Sequence, residues 1–186
     1  MHPLDHEVMS AFLSPKTVGN VYDQLLSSSD SSAKMLRMTI SDNLPPNYLR
    51  SAGIKVPLEI EAAAAPSPKK VLDAAVRHAT KGGQTVPSRT FSEHFENSKN
   101  WGLALLQELF FELRKKICGK GKAPDALGQA TNAALAALGA AICKFLGISN
   151  AMGMGIAVLV FTNAAWIGKA ALCRMTSPEQ LTKYFA

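Results

Sequence analysis

The side chains able to do chemistry are few and scattered. The four histidines, His2, His6, His78 and His94, have no cysteine or carboxylate at metal-ligand spacing, so no metal is expected. The three cysteines, Cys118, Cys143 and Cys173, are odd in number and widely separated, with no Cys-x-x-Cys pair. Neither a zinc site nor a disulfide framework is therefore expected, and a reducing compartment follows. The chain holds no Gly-x-Ser-x-Gly, no phosphate-cradling glycine loop and no carboxylate pair placed to act as acid and base. The expectation is a protein that is not an enzyme and carries no cofactor. The cations Arg114, Lys115, Lys116, Lys120 and Lys122 can touch anionic lipid or nucleic acid, but they stand where a helix C-terminus favours positive charge. A solvated helix end explains them, and nucleic acid is not expected as a partner.

Binding is then the chemistry left, and the elements behind it read as helices throughout. With 186 residues, of which 47% are apolar, the chain suits one domain with a sizeable core. A net charge of +6 is compatible with an anionic membrane. The first 13 residues hold Asp5 and Glu7 and no apolar run, so no secretory signal of ordinary form is read there. Periodicity predicts helices over residues 17–26, 33–40, 48–54, 69–80, 101–117, 126–146 and 151–172, with a helix end and linker over 59–70. The segment 101–117 leaves only Gln107, Glu108 and Glu112 as a polar strip, so it is expected to be the central helix of the bundle. The run 151–172 approaches the roughly 20 residues that cross a bilayer. Asn163 near its middle is costly at that depth. Two readings stay open for it, a membrane-inserting tail and a buried helix of a soluble fold. The expected organisation is a helical domain over 1–150, an anchor over 151–172 and a short polar tail over 173–186.

Four landmarks then stand in order. Glu93, Phe95 and Asn100-Trp101-Gly102 open the hydrophobic helix, and Leu49-Arg50-Ser51-Ala52-Gly53 lies about fifty residues upstream. Ile142-Cys143-Lys144-Phe145-Leu146 and the apolar 151–172 run follow downstream. This series resembles the Bcl-2 family of apoptosis regulators: homology region one at Asn-Trp-Gly, region three at Leu-Arg-x-x-Gly, region two at 142–146, and a tail anchor. The chain departs from the family's pattern at Ile54, where region three has aspartate, and at Leu103, where region one has arginine. Region two has Phe145 for its usual tryptophan. Such rapid divergence fits a viral homologue.

The resemblance implies an all-α, Bcl-2-like helical bundle around residues 101–117 with a C-terminal apolar tail helix. It implies a pro-survival regulator that binds the amphipathic death helices of pro-apoptotic partners in a hydrophobic groove. The groove would be lined by Phe91, His94, Phe95, Asn100, Gly102, Leu103, Leu106 and Phe110, with Leu49, Arg50 and Gly53 on the helix like homology region three. Leucines and phenylalanines at this spacing serve a plain core equally well, and Trp101 reads as a packing anchor. The family's alternative role is pro-apoptotic permeabilisation of a membrane. The implied location is the cytoplasmic face of the mitochondrial outer membrane or another intracellular membrane, or the cytosol if the tail is buried, with homo- or hetero-dimers as further partners. Outside the family, Ala-rich packed helices also suit a self-assembling structural protein.

Overall fold

The computed structural model describes Leu4 and residues 6–55, 68–80, 101–118 and 127–185. Every element among these is helical: α1 His6–Phe12, α2 Pro15–Leu26, α3 Ser31–Asn43, α4 Pro46–Ser51, α5 Pro68–Thr80, α6 Trp101–Ile117, α7 Leu127–Leu146, α8 Asn150–Ile167 and α9 Lys169–Arg174. A 3-10 turn, Pro178–Leu181, and α10, Thr182–Phe185, end the chain.

Local chemistry accounts for the boundaries. Ser14 caps α2 through its side-chain oxygen, 3.3 Å from the Thr17 N–H, with Pro15 in the first turn. Asp30 caps α3 at 2.9 Å from Ser32 N–H, and Ser149 caps α8 at 3.4 Å from Met152 N–H. Helix α4 stops in a Schellman motif: Gly53 N–H donates to the Arg50 carbonyl and Ile54 N–H to the Leu49 carbonyl, with Gly53 at φ +78°. Helix α1 has no counterpart among the expected helices. It is a single short amphipathic piece, held from outside by the Tyr48 hydroxyl, which donates to the Leu13 carbonyl at 2.7 Å.

The centre of the bundle is not where the sequence pattern put it. Helix α8, not α6, is the enclosed element: 72% of it is buried, and it packs on α2, α3, α5 and α7, with further contacts to α1 and α9. Helix α6 keeps one face in water, where Glu108, Glu112, Lys115 and also Phe111 (58% exposed) lie. Its other face, Leu105, Leu106, Leu109, Phe110 and Leu113, is buried. The physical difference lies in the polar strip: α8 has none, so every direction around it must be covered. The enclosed position of α8 favours the buried-helix reading of 151–172 over the anchor. Asn163 and Thr162 are buried there, and both donate to carbonyls one turn back, Leu159 and Val158, at 2.7 Å. Gly168, at φ +93°, breaks the expected continuous run to 172 and separates α8 from α9.

One further expectation is corrected. Cys118 and Cys173, taken as unbridged, form a disulfide with a Cα–Cα distance of 5.6 Å, leaving Cys143 free. The pairing exists because α9 and the 3-10 turn fold back on α6, a contact that linear spacing does not reveal. The same fold-back buries Met175 and Leu181 within the stretch expected as a short polar tail.

Candidate functional site

The start of α6 is the place where the landmark residues and unusual geometry coincide. A helix leaves its first N–H groups without internal partners. Here the Gly102 N–H donates to Asp73 Oδ1 on α5 at 3.1 Å, so an acid from another helix caps α6. Asp73 Oδ2 also lies 3.1 Å from Arg77 Nε one turn along α5. The Arg77 guanidinium in turn sits over the Trp101 ring, 5.7 Å from its centroid. Carboxylate, guanidinium and indole thus make one chain of contacts that sets α5 against the opening turn of α6.

Gly102 permits the approach. A Cβ at that position would stand 2.5 Å from the Asp73 backbone nitrogen and 2.8 Å from the Leu72 carbonyl carbon, both rigid backbone atoms. On either side of this contact α5 buries Val71, Leu72, Ala75 and Val76. The result is a short amphipathic helix lying backbone-close on Asn-Trp-Gly, with an acidic residue directed at the glycine N–H.

Of the groove residues expected from sequence, Phe91, His94, Phe95 and Asn100 lie outside the described residues. Gly102 is buried beneath α5, and Leu103 is half-buried against the core. Leu106 and Phe110 are fully interior, Phe110 meeting Phe111 edge-on at 5.2 Å between ring centroids. The structure brings Gly102, Leu103, Leu106 and Phe110 onto one helix, with α5 covering its start. Leu49, Arg50 and Gly53 sit elsewhere, on α4, which packs against α1 and α2. Leu49 is buried, Arg50 reaches Asn47 Oδ1 at 2.7 Å in solvent, and Gly53 serves the Schellman turn. The Leu-Arg-x-x-Gly pattern therefore has a complete local explanation as a helix stop.

Sequence reasoning missed Asp73 and Arg77. The only signal was their i,i+4 spacing on an amphipathic helix, which is common on any solvated face. Among the described residues no group of histidines, cysteines or carboxylates is arranged to hold a metal ion. Cys143 is half-buried and its thiol is pushed up by burial, with its Sγ 3.4 Å from the Ser149 carbonyl. That environment suits an inert thiol rather than a nucleophile. No family model matches the chain, and no curated protein or solved structure matches it.

Proposed function

We propose that the chain is a non-enzymatic regulator of apoptosis of the Bcl-2 kind, pro-survival in effect, which takes up amphipathic death helices at the start of α6. One observation carries this reading. That place already receives an amphipathic helix of the chain itself, with an acidic side chain on the Gly102 N–H and backbone contact across the glycine. A surface that accepts such a helix in cis has the shape and polarity to accept another in trans. The chain's own α5 then acts as the competitor that a ligand helix displaces, and Leu103, Leu106 and Phe110 supply the apolar wall beneath it. Because Leu103 stands in the place of the family's arginine, affinity rests on apolar area rather than on an ion pair.

A second reading, membrane permeabilisation, has its own support. Helix α8 has 18 residues with a mean hydropathy of 1.4, long and apolar enough to cross a bilayer once its sheath of helices opens. Either role belongs on the cytoplasmic face of an intracellular membrane such as the mitochondrial outer membrane.

The test uses the full chain, because α8 is the middle of the core and cannot be deleted. Death-helix peptides are titrated into it by calorimetry, alongside an Asp73→Ala variant with a loosened α5. Submicromolar binding that tightens about tenfold in the variant is the expected result, since weakening the competing contact raises the competent fraction. Release of liposome contents by the chain without peptide binding selects the permeabilising role. A folded chain that does neither refutes both.

A further inference from the structure

A second feature lies on α3, on elements that contribute nothing to the α5–α6 contact. Lys34, Arg37, Met38 and Ser41 follow the spacing that places residues on one face of a helix. The opposite face, Ala33, Leu36 and Ile40, is core. The outward face is one wall of a cleft of about 290 Å³, completed by Tyr22 of α2, Lys55 just past α4, and Asp42. The described residues of its lining bring three cations and one carboxylate, a net charge of +2.

Like charges gathered in one cleft repel, and among the described residues none of Lys34, Arg37 and Lys55 is paired with a carboxylate. Asp42 is the one carboxylate among the described lining residues, and burial pushes its carboxyl above the ordinary range. The Arg37 Nε–H is shut off from solvent and has no acceptor in the fold. Sheltered donors are ordinarily satisfied, and one on a charged group is the costliest kind to leave without a partner. An acceptor carried by a ligand in the cleft would pair it.

Charge and size narrow its chemistry. A phosphate monoester carries about −1.5 to −2 at neutral pH and offers three acceptor oxygens, which matches the lining and suits the planar fork of an arginine. Tyr22 and the 49%-exposed Met38 add an apolar platform beside the cations, which inorganic phosphate alone would not use. The volume is at the lower end for small-molecule sites, enough for one phosphorylated group and too small for a peptide helix. We propose that this cleft binds a phosphate monoester, its phosphate held by Arg37, Lys34 and Lys55 and its organic part resting on Tyr22 and Met38.

Phenyl phosphate and inorganic phosphate are titrated into the full chain by calorimetry, with Arg37→Gln, Lys55→Gln and Lys144→Gln variants. Lys144 is exposed on α7, away from the cleft, and controls for the loss of one charge. Circular dichroism and melting midpoints establish that each variant folds; Lys55 lies outside any helix, so its variant stands if Arg37→Gln fails. Saturable phenyl phosphate binding, tighter than that of inorganic phosphate, is expected to weaken about tenfold or more in the cleft variants and to persist in Lys144→Gln. Sedimentation with phosphatidylcholine vesicles containing phosphatidylinositol monophosphate identifies the source. Arg37-dependent capture by these, and not by phosphatidylserine vesicles, assigns the phosphate to a lipid headgroup; phenyl phosphate binding without capture assigns it to a soluble ester. Equal weakening in Lys144→Gln, or no saturable binding of either phosphate compound and no Arg37-dependent capture, overturns the proposal.

Discussion

Replacing Asp73 by alanine removes the contact that joins α5 to the head of α6, and its cost follows from the geometry. The carboxylate accepts the Gly102 N–H at 3.1 Å, a charge-assisted bond worth about 2 kcal/mol when one partner is deleted and the N–H is left unpaired. The i,i+4 pair with Arg77 adds only about 0.3–0.5 kcal/mol, because the two side chains are 45% and 19% exposed. Alanine returns about 0.5 kcal/mol as the better helix former. The net loss is about 2 kcal/mol, or about 4–8 °C in Tm for a chain of this size. Urea unfolding followed by circular dichroism measures it, and Asp73→Asn, which keeps an acceptor and drops the charge, is expected to lose about half as much. A loss below about 0.5 kcal/mol would refute the capping role and with it the account of why α5 sits on Asn-Trp-Gly.

Three further outcomes follow from other contacts. Gly102→Ala places a methyl 2.5 Å from the Asp73 backbone nitrogen, so it is expected to destabilise by about 2 kcal/mol, where helix propensity alone predicts a gain of about 1 kcal/mol. Gly53→Ala, in open space at φ +78°, costs only the backbone strain of about 1 kcal/mol, and a denaturant series on both variants checks the order. Reducing Cys118–Cys173, or changing Cys173 to serine, opens a loop with a sequence separation of 55 and is expected to cost about 4 kcal/mol of chain-entropy stabilisation. Unfolding midpoints that coincide with and without reductant would contradict that bond. The Tyr48 hydroxyl is held above its ordinary value of 10.0 by burial, so the folded state keeps a proton that the unfolded chain releases. Its stabilisation is intact below that value and is lost as pH rises beyond it, by about 1.4 kcal/mol per unit. Tyr48→Phe is expected to remove this slope in alkaline unfolding curves.

How far the sequence carried can be judged helix by helix. The boundaries of α6 and α7 were legible, because long apolar periodicity and glycine- or proline-rich ends are local signals. The caps at Ser14, Asp30 and Ser149 were missed, since the expected helices began at 17, 33 and 151, although a cap is a local signal. Helix α1 was not legible, since seven residues carry too short a period and its hold on the fold comes from Tyr48, 35 residues beyond Leu13. The sequence singled out Gly102 through Asn-Trp-Gly but not its contact with Asp73, which lies 29 residues earlier and becomes a cap only once α5 is set against α6.

The sequence by itself determined the helical character of the described residues and the apolar faces of those helices, because each of these depends on residues within a few turns of one another. Only the tertiary structure decided that α8 rather than α6 is the enclosed helix, that Cys118 meets Cys173, and that three cations of α3 and its neighbourhood line one cleft. Those outcomes depend on which faces meet across distant parts of the chain. Apolar burial rewards many such pairings almost equally, and it is backbone fit at sites such as Gly102 that selects among them.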